Sequence, residues 1–351
     1  MKIAFIITSL ANRGPIIMVR SLIEHLVSNG YLCEVYYFDP LHDLNFPCPV
    51  KQIKFTDKID FAAYDILHSH LFRPDLYCAY HNRVIRQSGA RRITTIHTAI
   101  YEDLKYTYGK LISSLIIPMW KFAWRKMDHA VVLTEAAKEY YKDCIIKELS
   151  VIANGRDLPE IASDIQEEDE SVILDLKQGH ILLGSVCAMD KRKGLEQLLD
   201  LLVINKEYAV CVIGDGAERS TLEAAAKENG VSGRFKVLGF RTDGYRYMNH
   251  FDIFLLTSRS EGMPLAFLEA IASKIPVVSA SIPSITGDFN EEEVSYFELD
   301  QVETLNFACK KALMNVPYLT QNAYFKYKNQ YTTNQMGINY RRLYSSLTNI
   351  P

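Results

Sequence analysis

The sequence predicts two doubly wound α/β domains in one chain, and three observations carry that prediction. Short apolar runs with strand character alternate with amphipathic, helix-forming runs along nearly the whole length. A polar, acidic stretch over residues 157–179, including Glu167-Glu168-Asp169-Glu170, interrupts the alternation, and the strand–helix cycle then restarts. The 351 residues suffice for two separate cores.

In the first half, residues 2–7 read as a buried strand, 14–28 as a helix and 34–38 as the next strand. Residues 65–68, 92–96 and 130–133 read as later strands. In the second half, strands are expected over 180–186, 209–213, 235–238 and 253–256, with helices over 194–203, 218–228 and 265–272. Residues 276–279 are expected to close that sheet, and the tyrosine-rich stretch 318–347 has helical spacing. The expected domains are therefore 1–158 and 179–317, with an interdomain linker in the acidic stretch and a terminal helical segment over 318–351.

Bulk properties exclude several function classes. Hydrophobic content of 48% and charged content of 23% describe an ordinary globular protein. Residues 1–160 carry 20 Lys/Arg against 17 Asp/Glu, and residues 161–351 carry 19 against 25, too mild an asymmetry for a nucleic-acid partner. The seven cysteines make no CxxC pair, which implies reduced thiols in a cytosolic protein and no zinc site. The longest apolar stretches, 3–10 and 111–120, are far short of the ~20 residues that span a bilayer, and no signal peptide is expected. Gly214-Asp215-Gly216 follows a strand, but Arg219 stands where a dinucleotide fingerprint needs its third glycine, so NAD binding is not expected.

The most informative segment is Ser-Glu-Gly-Met-Pro-Leu-Ala-Phe-Leu-Glu-Ala, residues 260–270. It follows the apolar run 253–256 and leads into helix-forming sequence. Gly262 frees the backbone to turn, and Pro264 suits the first helical position. The amides after it sit at the positive end of the helix dipole, a natural anion site. Glu261 and Glu269 bracket that end, so a phosphate on the amides and sugar hydroxyls on the carboxylates would suit a nucleotide-sugar. The plain alternative is a capped helix with two surface glutamates.

Other candidates follow strands. Gly14, between Arg13 and Pro15, opens the first helix and lets backbone approach a ligand closely. Lys191-Arg192-Lys193-Gly194 places cations where a departing diphosphate would need neutralising. His97 ends a strand and can hydrogen-bond a sugar hydroxyl or aid a leaving phosphate. His68 and His70 also end a strand and point the same way, but two histidines make no metal site, and packing near the first domain's binding side suits them better.

Glu261-x7-Glu269 resembles the Glu-x7-Glu motif of retaining GT-B glycosyltransferases of the family 4 type, and the likeness extends over nearly the whole chain. The resemblance implies a GT-B fold: two Rossmann-like domains facing across a cleft, with the C-terminal helix crossing back to the first. It implies that Glu269 binds the ribose hydroxyls, while Glu261 with Gly262, Met263 and Leu265 holds the donor sugar and diphosphate. Lys193-Gly194 looks like the family's Lys-Gly pair, and His97 like the histidine that faces the reacting sugar. Gly14 lies where family members carry a glycine-rich loop. Asn154-Gly155 matches the turn that ends the first domain, and Phe240-Arg241 matches a stretch that meets the nucleobase. One position departs: the family's upstream Arg falls near Cys187, so Arg192 or Lys191 must substitute, or fewer cations hold the phosphate.

Between Asp103 and Asp128 there is no acidic residue, yet there are Lys105, Lys110, Lys121, Arg125 and Lys126, and both tryptophans, Trp120 and Trp124, four apart on one helical face. Aromatic anchors beside cations suit an anionic membrane surface; the alternative is a core helix with snorkelling lysines. The family's use of lipid-linked acceptors points to the membrane. The expected function is thus a retaining hexosyl transfer from a nucleotide-sugar, of UDP type, to a lipid-linked glycan of a bacterial surface polysaccharide. The enzyme is expected in the cytoplasm, peripheral to the inner leaflet, without metal or other cofactor. A nucleotide-sugar epimerase on the same scaffold, or an inactive sugar-nucleotide-binding subunit, are the alternatives.

Overall fold

The computed structural model describes residues 1–144, 148–159 and 165–348. Two compact units divide the chain: Met1–Arg156 with Gln330–Pro351, and Asp157–Asn329.

In the first unit the chain runs β1 (Lys2–Ile7), α1 (Gly14–Ser28), β2 (Leu32–Tyr37), β3 (Val50–Gln52), β4 (Ile66–His70), α2 (Phe72–Tyr80), α3 (Asn82–Ser88) and β5 (Arg91–Ile96). It continues through α4 (Ile100–Trp124), β6 (His129–Val132), α5 (Glu135–Tyr141) and β7 (Glu148–Val151). The strands form one parallel sheet in the order β3-β2-β1-β4-β5-β6-β7. A parallel sheet is covered on both faces, so its central strands are apolar throughout rather than alternating. In β1 the odd residues Ile3, Phe5 and Ile7 enter one core, and the even residues Ala4 and Ile6 enter another.

The second unit repeats the plan: α6 (Glu167–Lys177), β8 (Ile181–Val186), α7 (Glu196–Ile204), β9 (Tyr208–Ile213), α8 (Arg219–Glu228), β10 (Phe235–Gly239), β11 (Ile253–Leu256), α9 (Leu265–Ala272) and β12 (Val277–Ala280). Then come α10 (Pro283–Thr286), β13 (Ser295–Phe297), α11 (Val302–Met314) and α12 (Val316–Gln330). Its sheet is also parallel, ordered β10-β9-β8-β11-β12-β13. Helix α13 (Thr333–Thr348) returns to the first unit, where Met336, Tyr340 and Tyr344 join the core beside α1.

Several expectations need correcting. The acidic run is not a linker loop: Glu167–Lys177 is helical, burying Asp169, Ile173 and Leu176. Its four leading carboxylates fall in the first turn, where the helix dipole favours negative charge. Residues 160–164 of that stretch, and 349–351 of the terminal segment, lie outside the described residues. Val277–Ala280 does not close the second sheet, because β13 pairs along it. The terminal segment is two helices, and α12 stays with the second unit: Leu319, Ala323 and Tyr327 are buried, and the Lys326 ammonium meets Glu293 at 3.1 Å. The return therefore begins near Gln330 rather than at residue 318.

Candidate functional site

In each sheet the strand order reverses beside its first strand, and the carboxyl ends there form the crevice where doubly wound folds bind ligands. In the second unit that place lies after β8 and β11. Residues 191–194 make a 3-10 turn closed by Gly194, so the helix starts at Glu196 rather than at the expected residue 194. Gly194 takes a left-handed φ of 59°, and a Cβ there would lie 2.5 Å from the Thr257 carbonyl. The Thr257 hydroxyl donates to the Lys193 carbonyl at 2.8 Å, and the Arg259 amide to the Arg192 carbonyl at 2.8 Å. The basic turn is thereby latched to the segment leading into Glu261.

Both cations turn onto that glutamate. Lys193 Nζ contacts Glu261 Oε1, and Arg192 Nη1 lies 3.1 Å from Oε2 and 2.9 Å from the Ser260 carbonyl. All three side chains are largely buried. Burial by itself would raise the Glu261 pKa, but Lys193 and Arg192 overcome it and hold the carboxyl at about 2. The Cys187 thiol lies 3.8 Å from the Ser185 hydroxyl with the Lys193 charge nearby, and Arg192 joins Lys193 on Glu261; Lys191 is exposed. Gly262 and Met263 come next in the chain. Pro264 is the N-cap of α9, one residue ahead of its expected place, and Leu265 opens the helix. Glu269 is buried in the same helix.

Gly214 is explained without a nucleotide. It has φ 149°, and a Cβ there would sit 1.8 Å from the Cys187 carbonyl oxygen, so glycine lets the turn after β9 close on the one after β8. After β10, Arg241 is not free to bind a ligand through its side chain. Its Nε and Nη2 reach the buried Asp169 at 2.7 and 2.8 Å, and Tyr247 donates to the same carboxylate. Phe240 beside it is exposed.

At the first unit's corresponding place the strand ends carry neutral imidazoles, with Arg13 exposed in the turn after β1. Gly14 begins α1 after β1, with open space where its Cβ would be. His70 ends β4 and His97 follows β5; His70 Nδ1 lies 3.0 Å from His97 Nε2. His68 bonds the Tyr344 hydroxyl through Nδ1 and the Thr95 hydroxyl through Nε2, both at 2.8 Å. Burial lowers all three imidazoles, His68 and His97 to about 3. Asn154-Gly155 lies at the end of this unit's first segment, where the Arg156 amide donates to the Tyr331 carbonyl at 2.9 Å. Among the described residues, no group of three or more His, Cys, Asp or Glu is placed to hold a metal ion.

The tryptophans contradict a membrane-facing role. Trp120 and Trp124 are buried, and both indole N–H groups donate to Asp75 Oδ2, at 2.7 and 2.9 Å. Ser69 and Thr94 donate to Oδ1 of the same carboxylate. A buried carboxylate demands donors, and the indoles supply two of its four. Sequence reasoning missed Asp75, because its partners lie 45 and 49 residues away. The exposed face of α4 is instead Leu111, Leu115, Met119 and Phe122, a stripe at helical spacing with Leu111 81% and Leu115 67% exposed. Lys105, Lys110 and Arg125 are exposed on this helix and its end, Lys126 lies over the Phe122 ring at 5.0 Å, and Lys121 is held by the Tyr101 hydroxyl.

Two parallel Rossmann-type units, the second with a cation–carboxylate cluster at its switch point, are the architecture of GT-B glycosyltransferases. The structure matches sucrose-phosphate synthase from Thermosynechococcus elongatus with a TM-score of 0.82 at 16% identity, covering 99% of each chain. It matches Anabaena HepE in complex with UDP with a TM-score of 0.78 at 16% identity, covering 99% of this chain and 100% of that one. The family model described as "Glycosyltransferase Family 4" matches residues 16–160, and that described as "Glycosyl transferases group 1" matches residues 166–318. The chain is 29% identical, over 99% of both lengths, to the O-antigen biosynthesis glycosyltransferase WclY of Escherichia coli. It is 26% identical to a UDP-Gal:alpha-D-GlcNAc-diphosphoundecaprenol alpha-1,3-galactosyltransferase of Escherichia coli, over 62% of this chain and 58% of that one. The protein is a glycosyltransferase, matched in its first half by the family 4 model and in its second half by the group 1 model.

Proposed function

We propose that the enzyme moves a hexose from a UDP-sugar to a hydroxyl of a lipid-linked glycan in surface-polysaccharide synthesis, with retention of anomeric configuration. The observation that carries this is the buried Arg192–Lys193–Glu261 cluster leading into α9, which also carries Glu269. As the glycosidic C–O bond breaks, negative charge gathers on the diphosphate. Lys193, Arg192 and the positive end of α9, with Met263 and Leu265, stabilise that charge where it develops. Glu261 keeps the two cations aimed and accepts from the donor sugar's hydroxyls, and Glu269 accepts from the ribose. Gly14 and Phe240 complete the donor contacts, and the Arg241 side chain acts through the backbone that Asp169 holds in place. His97, neutral, hydrogen-bonds the reacting sugar. Leaving group and nucleophile meet on one face of that sugar, so the acceptor hydroxyl passes its proton to the departing diphosphate oxygen as the new C–O bond forms, and no enzyme carboxylate is needed as base.

The UDP in the HepE structure and the UDP-Gal and diphosphoundecaprenol in the galactosyltransferase's name support the donor and acceptor classes. The basic, apolar-striped face of α4 supports peripheral docking on the inner leaflet from the cytoplasm. With two cations and a helix terminus on the diphosphate, activity should persist in saturating EDTA. Binding and transfer across UDP-, GDP- and ADP-sugars test the whole reading. A UDP-sugar should bind, and Glu269→Ala should weaken nucleotide binding by about 1.5–3 kcal/mol, while Glu261→Ala lowers turnover more than affinity. Wild-type transfer by both variants would refute the assignment.

A further inference from the structure

His70 has no part in the transfer itself, yet it is placed to control His97. It is fully buried, and its ring lies 5.3 Å from that of His97. Phe5 stacks near it at 6.2 Å, and His68 is 4.2 Å away with both its nitrogens already bonded to hydroxyls. The other ring nitrogen of His70, Nε2, is buried without a partner among the described residues. Leu71, next in the chain, is held at φ 75° and ψ 172°, a conformation costly for a residue with a side chain. The surroundings therefore over-determine the end of β4.

One proton must lie between His70 Nδ1 and His97 Nε2, and two arrangements are available to neutral rings. If His97 Nε2–H donated, His70 would carry its own proton on Nε2, leaving a buried N–H with no acceptor. If His70 Nδ1–H donates, what remains at Nε2 is a bare lone pair, the less costly orphan. His97 then accepts at Nε2 and must carry its proton on Nδ1. Among the described residues nothing in the protein bonds that atom.

We propose that His70 is a positioning residue that fixes His97 in the Nδ1–H tautomer, so that His97 offers a sugar oxygen a donor and not an acceptor. The consequence for catalysis rests on the proposed role of His97 in transfer; the tautomer itself does not.

The test is the ring ¹⁵N spectrum of His97 in the full chain, read beside the kinetics of three variants. The wild type should show His97 protonated on Nδ1. His70→Asn places an amide N–H near the lost Nδ1 and should keep both that tautomer and kcat within a few-fold. His70→Asp offers only an acceptor, so it should move the His97 proton to Nε2 and lower kcat by up to about 10-fold, with KM for the UDP-sugar little changed. His70→Leu fills the volume without a donor and should lose kcat without rescue. Protonation of wild-type His97 on Nε2, or an unmoved tautomer in folded His70→Asp, overturns the proposal. The Nδ1–H tautomer together with undiminished turnover in His97→Ala would uphold the positioning and refute the catalytic role of His97.

Discussion

The two sheets share one topology and differ in the side chains just beyond their strands. In the second unit, the turns after β8 and β11 bring two cations and a carboxylate together, and the cations keep the buried Glu261 ionised. In the first unit, β4 and β5 end in imidazoles that burial keeps neutral. The sheet thus supplies the place, and a few residues at the strand ends supply the chemistry. A charged crevice suits a diphosphate, and a neutral one with directional hydrogen bonds suits sugar hydroxyls.

The largest expected effect tests that division. Lys193→Ala removes a cation from the leaving group and should lower kcat by about 10²–10³-fold. His97→Ala removes one neutral hydrogen bond and should cost a smaller factor. The reverse order in steady-state kinetics would break the comparison.

Acid should distinguish the units next. The folded pKa values of His68, His70 and His97 lie below their ordinary 6.5, so their contribution to stability is full above 6.5 and is lost as pH falls below it, down to about 3 for His68 and His97. Asp75 opposes this: burial raises it from 3.8 to about 6, so its contribution improves as pH falls through that window. Three histidines outweigh one carboxylate, each losing up to about 1.4 kcal/mol per pH unit. Glu261, lowered from 4.5 to about 2, keeps its contribution until pH drops below 4.5. Between pH 6.5 and 4.5 the first unit should therefore weaken before the second. Both tryptophans lie in the first unit, so indole emission should change at higher pH than far-UV circular dichroism. Coincident transitions would count against neutral buried histidines.

What could be read from the sequence was what lay close along it. Glu261, Gly262 and Glu269 fall in one strand–turn–helix passage, and Lys193-Gly194 in another, so spacing alone placed them at strand ends. The latch between the two passages was not legible, because the Thr257–Lys193 bond joins residues 64 apart. Helical spacing put Trp120 and Trp124 on one face, but only Asp75, from another helix, decides which way that face points. The acidic run looked like a loop because its composition is polar; the three residues that α6 buries are too few to dominate the pattern. The sequence-based boundary at residue 318 missed for the opposite reason: α12 and α13 are similar in composition, and only packing assigns them to different units.

The smallest effect concerns the outer face of the first unit. Gly109 interrupts α4 with φ 76° and ψ 170°, and beyond that break the apolar stripe begins. Four side chains in one row, unaccompanied by acids and flanked by Lys110, Arg125 and Lys126, suit the boundary of an anionic bilayer. Each nearby cation contributes roughly 1 kcal/mol, and the attraction should fade with added salt because screening acts beyond ~8 Å at physiological ionic strength. The native tryptophans are already buried and bonded to Asp75, so vesicles should leave their emission unchanged. A tryptophan introduced by Phe122→Trp should shift to the blue with anionic vesicles and not with neutral ones. Leu111→Glu with Leu115→Glu should abolish flotation while leaving UDP binding intact, since those residues and the Glu261 cluster belong to different units. If the wild type fails to float with anionic vesicles at low salt, the stripe is not a membrane surface, and the contrast between charged and neutral crevices stands without it.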